Sequence, residues 1–283
     1  MLRYDIFMAE RFECSRPYGA NIVLPNIVAL HEGQIYSVQE PSMKRTLVFI
    51  TLLVVLASSC VIAVTPGNYV GNGKVITTSL PVSGYTAVKN MSSAHIRLHQ
   101  DLTRSVKVTI DENLLEFLDI HVENGTLVVA LLPGKSLYKY TKFTVDVSMP
   151  SLAGLGIYGS GEIALINDFS GRSIALTIAG SGDIEGELEY DEVKASIMGS
   201  GSIRINGSAE NFEGSIGGSG SIQARSFSAE DAELSIRGSG SMTLKVESSL
   251  DARIFGSGSI YYYGNPRVSI VDAGSGRLVQ LGR

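Results

Sequence analysis

The residues best placed to do chemistry in this sequence are two acids, Glu162 and Asp183, and a series of serines set between glycines. Both recur at one slot of a repeated unit. The position after each Gly-Ser-Gly triplet holds Glu162, Asp183, Ser202, Ser221, Ser241, Ser259 and Arg277 in turn. Elimination chemistry on a polyanionic sugar would need clustered carboxylates for a metal and a Lys or Arg base on the same face. Only two of the seven slots are acidic, and no base is evident beside them, so solvated surface charge is the expectation. The triplet serines, Ser160, Ser181, Ser200, Ser219, Ser239, Ser257 and Ser275, could act as nucleophiles only with a histidine in reach. The last histidine is His121, ahead of every triplet, so a Ser–His triad is not expected. These serines read as turn residues with satisfied hydroxyls, or as a ladder facing a ligand.

The other reactive side chains are scattered. His31, His95, His99 and His121 lack the spacing of a metal site, and Cys14 and Cys60 lie far apart, so neither metal nor cofactor is expected. His95 and His99 flank Ile96 and Leu98 on the exposed face of a strand, which reads as a chance pair. The Gly-x-Gly pieces lack the strand–loop–helix order of a dinucleotide site. Tyr261-Tyr262-Tyr263 could stack on a sugar, but parity with Ile260 turns Tyr262 inward, into packing. A net charge of −5 without a Lys/Arg cluster argues against a nucleic-acid partner. No enzyme is expected.

What must position these residues is a repeat. Gly-Ser-Gly begins at Gly159, Gly180, Gly199, Gly218, Gly238, Gly256 and Gly274, at intervals of 21, 19, 19, 20, 18 and 18 residues. Two residues before the triplet stand Ile157, Ile178, Ile197, Ile216, Ile236 and Ile254, with Asp272 breaking the series. Two residues after it stand Ile163, Ile184, Ile203, Ile222, Met242, Ile260 and Leu278. Apolar and polar residues alternate backwards from each triplet, as in Val193-Ala195-Ile197, which marks a strand with one buried face.

A unit of 18–21 residues is too short for a propeller blade and too poor in helix formers for a helical repeat. It predicts a single-stranded parallel β-helix of about seven coils over residues 151–283, each coil lending its isoleucines to a shared core. Gly159, Gly161, Gly180, Gly182, Gly199, Gly201, Gly218, Gly220, Gly238, Gly240, Gly256 and Gly258 are then corner residues. They either point inward where a Cβ has no room or supply positive φ. The last coil, after Leu278, leaves strand edges open and suggests end-to-end or side-by-side homo-oligomers.

Residues 66–150 also read as strands: Val106, Val108 and Ile110 alternate with polar residues, as do Phe143, Val145, Val147 and Met149. Asn124-Gly125 and Pro133-Gly134 mark turns, Asp111 to Phe117 a helical turn or loop, and Pro150-Ser151-Leu152 a seam. This irregular β section would lead into the helix and cap it.

Met43-Lys44-Arg45, the apolar run Leu47–Ala57 and Ser58-Ser59-Cys60 have the three parts of an export signal, and eleven apolar residues are too few to span a bilayer. Residues 43–60 resemble a lipoprotein signal with Cys60 as the lipidated residue, although Ala57 and Ser59 hold places usually taken by Leu and by Gly or Ala. Plain cleavage after Ser59 or Ala63, and an uncleaved anchor, are the alternatives. Residues 1–42 show no sustained period and read as a disordered upstream segment ahead of a true start at Met43.

An export signal, a β section, Met149-Pro150-Ser151-Leu152 and serial Ile-x-Gly-Ser-Gly-x-Ile units together resemble the autotransporter-adhesin "head GIN" domain family of Bacteroidota, over about residues 70–280. The resemblance implies a right-handed β-helix and an envelope location, with an outer-membrane lipoprotein as the expected form. No acidic run follows Cys60 of the kind tied to surface export in that phylum. The function expected is non-enzymatic adhesion, with rigid faces presented to an envelope protein or a glycan. A structural or regulatory envelope protein and a glycan-active enzyme are the other readings. Membrane contact would be only through the N-terminal lipid or signal. Asn90-Met91-Ser92, Asn124-Gly125-Thr126 and Asn206-Gly207-Ser208 match a glycosylation triplet, which carries little weight in a bacterium.

Overall fold

The computed structural model describes residues 28–31, 34–37 and 67–282; the export signal and Cys60 lie outside them. Residues 1–63 and 64–283 form two units. In the first, β1 (Val28–His31) pairs antiparallel with β2 (Gln34–Ser37), within a stretch expected to carry no regular structure. Val28, Ile35 and Tyr36 are the β-branched and aromatic types that favour such a pairing.

The second unit is a β-solenoid of about seven turns. Its strands are β3 (Gly67–Val70), β4 (Val75–Leu80), β5 (Ala87–Asn90), β6 (His95–Gln100), β7 (Ser105–Asp111), β8 (Leu118–Glu123), β9 (Thr126–Leu131) and β10 (Lys135–Lys139). There follow β11 (Phe143–Met149), β12 (Gly154–Gly159), β13 (Glu162–Leu165), β14 (Phe169–Gly180), β15 (Asp183–Gly199) and β16 (Ser202–Gly218). The last are β17 (Ser221–Gly238), β18 (Ser241–Gly256), β19 (Ser259–Tyr263), β20 (Arg267–Gly274) and β21 (Arg277–Gly282). From β15 to β18, each strand is one repeat, running from just after one triplet to the first glycine of the next, and each pairs parallel with the one above.

The register stacks the isoleucines in files. Ile157, Ile178, Ile197, Ile216, Ile236 and Ile254 stand over one another, and so do Ile163, Ile184, Ile203, Ile222, Met242 and Ile260. All are buried, each worth about 1.5–3 kcal/mol on folding. The neighbouring file runs Leu176, Ala195, Gly214, Leu234, Ala252. Where it narrows at Gly214, the side chains of Leu234, Phe212 and Met242 close in to about 3 Å from the place a Cβ would take. Volume lost in one coil is thus refilled from the next.

The triplet glycines divide the labour expected of them. The first of each, from Gly159 to Gly256, has φ between +129° and +147°, a conformation L residues avoid. The second has ordinary φ but no room: a Cβ on Gly201 would lie 2.4 Å from the Gly182 carbonyl oxygen and 2.7 Å from Ile178 Cγ2. One glycine turns the corner; the other lets the coils close.

The solenoid begins before the first triplet. β5 and β6 run parallel beneath β12 and β13, and β9 and β11 run parallel beneath those. In this early coil Asn90 and Ser92 replace the glycine corner. Asn90 is buried; its Nδ2 donates to the Ala94 carbonyl (2.8 Å), and its Oδ1 accepts from the Ser92 amide (3.0 Å) and hydroxyl (2.8 Å). Strand direction then reverses: β8 is antiparallel to β9, β7 to β11, and β4 to β7. Asn124 and Gly125, at φ +51° and +75°, make the tight β8–β9 turn. A 3-10 helix (Glu112–Phe117) drives Leu114 into the core and closes this end. At the seam, Tyr190 donates to the Leu152 carbonyl (2.8 Å), and burial pushes its phenol up to about 12.

Asp111 ties this cap together. Its buried carboxylate accepts from the Thr141 amide (2.6 Å) and hydroxyl (2.9 Å) and from the Gly73 amide (2.9 Å). Those donors, the Thr141 amide foremost, hold its carboxyl below the usual carboxylate range. A lowered folded value stabilises above the unfolded value, near 3.9, and the gain is lost as pH falls through the folded one. Asp111→Asn is therefore expected to lower the melting temperature at neutral pH and to flatten its fall below about pH 3.9, read by circular dichroism across a pH series.

The opposite end is open. Along β20 every residue is exposed, including Val268 (42%) and Ile270 (47%), which stand over Leu250 and Ala252 of the core. Asp272 stands over Ile254 at the top of the isoleucine file. Association through this end would have to cover that carboxylate.

Candidate functional site

The triplet serines form the external ladder. All seven are exposed, and the amides of Ser181, Ser200, Ser219, Ser239, Ser257 and Ser275 donate at 2.9–3.0 Å to the first-glycine carbonyl one coil below. The backbone at the corner is thereby satisfied without the hydroxyls. Ser257 Oγ and Ser275 Oγ pair at 3.1 Å; among the described residues the other five hydroxyls have no protein partner. The expectation that the hydroxyls are satisfied at the turn therefore holds for two of the seven.

Beside the ladder runs a second outward file: Tyr158, Ala179, Met198, Gly217, Arg237, Phe255. Tyr158 (43%), Met198 (59%) and Phe255 (38%) are exposed. A third file carries Thr177, Ser196, Ser215 and Ser235, with Ser215 donating to Ser196 Oγ at 3.0 Å. Over the coils from Tyr158 to Gly217 these three files hold no charged side chain. The result is an uncharged strip with hydroxyls on both borders and Tyr158, Ala179 and Met198 between.

Across the corner, the slot residues stack as Glu162, Asp183, Ser202, Ser221, Ser241, Ser259 and Arg277. Here one expectation fails. No base was evident beside Glu162 and Asp183, yet β6 lies directly beneath β13 and sets His95 Nδ1 2.8 Å from Glu162 Oε2. The partners are 67 residues apart, and only the coil register joins them. Arg204 reaches Asp183 at 3.7 Å. His95 and Glu162 are both well exposed, so the contact is a surface pair of small energetic weight. Among the described residues, no group of three or more His, Cys, Asp and Glu could hold a metal ion.

A groove of about 700 Å3 crosses the outer corner where Glu192, Glu213, Asp231, Glu233 and Asp251 crowd. Lys194 bridges to Glu213 at 2.7 Å, which holds the ammonium above its ordinary range, and Arg253 bonds Glu233. Period-two reading marks these residues only as exposed; their convergence in one groove follows from the stacking of coils. Tyr262 is half-buried against the core, as its parity with Ile260 demands. No helix among the described residues is long and apolar enough to cross a membrane.

Stacked isoleucine files, glycine corners and an exposed serine ladder define a β-solenoid. The chain belongs to the family described as "Putative auto-transporter adhesin, head GIN domain", which it matches over residues 84–266. A structure described as a putative adhesin from Bacteroides fragilis superposes with TM-score 0.71 at 23% identity, covering 76% of this chain and 100% of that one. One described as a putative lipid binding protein from Parabacteroides distasonis gives TM-score 0.66 at 27% identity, covering 76% and 99%. A third, described as a putative adhesin from Parabacteroides merdae, gives 0.61 at 25% identity, covering 76% and 99%. No curated protein matches the sequence.

Proposed function

We propose that this protein is a non-enzymatic adhesion module of the bacterial envelope, exported by the signal at residues 43–60 and anchored through a lipid on Cys60, and that it binds an envelope protein or a glycan through the serine-edged face. The observation that carries the reading is the set of exposed hydroxyls, Ser160 to Ser219, left without protein partners on a rigid surface whose outward files hold no charged side chain in those coils. A sheet face of this kind is held in place by the core beneath it, so little ordering accompanies binding. Membership of an adhesin family supports the same reading.

The test compares the full chain with a Ser181→Glu/Ser200→Glu/Ser219→Glu variant on a glycan array and in pull-downs from envelope extract. The three side chains are exposed, so the variant should keep the fold, its melting temperature lowered only a little by repulsion between the stacked carboxylates. Expected is capture of one partner by the wild type and at least a tenfold loss in the variant, with no product released. Equal capture by both, or release of a cleaved glycan, would refute it. Metabolic labelling with palmitate, compared between the wild type and Cys60→Ser, tests the anchor.

A further inference from the structure

The cap is less acidic than the repeats. The sequence carries eight Lys and Arg against seven Asp and Glu over residues 67–150, but ten against sixteen over residues 151–283. On the outer side of β7, β11 and β6 the ladder sets Lys107, Asp146 and Arg97 in one row and Ser105, Ser148 and His99 in the next. The residues alternating with them, among them Val106, Val147 and Leu98, are buried, so all six point outward. They frame a hollow of about 380 Å3 that Asp101 also borders.

The two acids there are already engaged. Asp146 Oδ1 accepts from Arg97 Nε at 2.7 Å and lies 2.5 Å from Nη2. Asp101 is turned into its own loop, accepting from the Thr103 amide (2.9 Å) and hydroxyl (2.7 Å). Lys107 has no ion-pair partner among the described residues, and the His99 ring and the Ser105 and Ser148 hydroxyls make no hydrogen bond there either. An ammonium, an imidazole and two hydroxyls thus converge on one hollow with their donors unspent.

We propose that this hollow binds an oxyanion group, a sulfate or carboxylate, carried on an acidic glycan. Lys107 supplies the charge, and the serine hydroxyls and His99 supply hydrogen bonds, which are strong when the acceptor is ionised. A membrane surface is the poorer fit, since polybasic docking uses clusters of about 4–8 Lys or Arg rather than one free lysine among hydroxyls. The site lies on a different face from the serine ladder and does not depend on it.

The test applies the full chain to immobilised chondroitin sulfate, with neutral dextran as the control matrix and phosphatidylglycerol vesicles as the lipid probe. The wild type should bind chondroitin sulfate and be released by salt. Lys107→Glu and Ser148→Asp should each weaken binding at least tenfold, two variants guarding against a folding defect in one. Lys194→Glu, a charge change of the same size away from the hollow, should bind as the wild type does, which separates this site from a general effect of net charge. Undiminished binding by Lys107→Glu and Ser148→Asp, equal retention on dextran, or binding to vesicles alone would overturn the proposal.

Discussion

Gly220→Val is expected to abolish the native fold, leaving a chain without a cooperative melt and largely in the insoluble fraction. A Cβ at this position would lie 2.7 Å from the Gly201 carbonyl oxygen and 2.7 Å from Ile197 Cγ2, contacts that no rotamer relieves. The oxygen belongs to the coil below, whose own amides and carbonyls are locked in the ladder, and Ile197 is fully buried. Overpacking an ordinary core costs about 1–3 kcal/mol. Here two coils must also part, breaking backbone bonds on either side, so a loss above about 4 kcal/mol is expected, a large share of a typical domain's stability. Ser219→Val, one residue away on the exposed ladder, should change stability by no more than about 0.5 kcal/mol. Urea melts of the two variants check the contrast. A Gly220→Val protein that melts beside the wild type would mean that the coils do not stack as described.

Asp272→Ile is expected to turn the open end into a sticky one. Asp272 tops a file of six isoleucines, and β20 leaves unpaired amides and carbonyls beside half-exposed Val268 and Ile270. Bare edges of this kind recruit other strands, and an inward-facing charge is one of the devices that prevent it. Bringing a second chain over this end would bury the carboxylate without a partner, at a cost of several kcal/mol. Isoleucine removes that cost and adds about 1.5–3 kcal/mol of apolar burial, enough to strengthen end-to-end association at least tenfold. Sedimentation velocity over a concentration series reads this directly. An Asp272→Ile variant that sediments as the wild type does at every concentration would show that the carboxylate is not what guards the end.

The solenoid was legible because its information is local and periodic. Ile-x-Gly-Ser-Gly-x-Ile specifies, within seven residues, a buried position, a corner and a second buried position. Recurrence of the triplet seven times then demands that the positions align, since no single coil buries its own isoleucines. The serines could be placed outside for the same reason. Less legible was the section before the repeats, because Asn90 and Ser92 reproduce with side-chain hydrogen bonds what glycines do elsewhere, and no repeat announces them. The antiparallel reversal at β7 and β8 was equally hidden, for alternation marks a strand but not its direction.

By itself, then, the sequence determined the repeat, the inward files, the glycine corners and the outward hydroxyls, all consequences of period two and of the space a Cβ needs. The tertiary structure alone decided which distant side chains meet: His95 with Glu162, Asp111 with Thr141, and Lys107 and Arg97 around Asp146. Coil register makes neighbours of residues 30 to 67 positions apart. Such register is a property of the whole stack, which no short window of residues encodes.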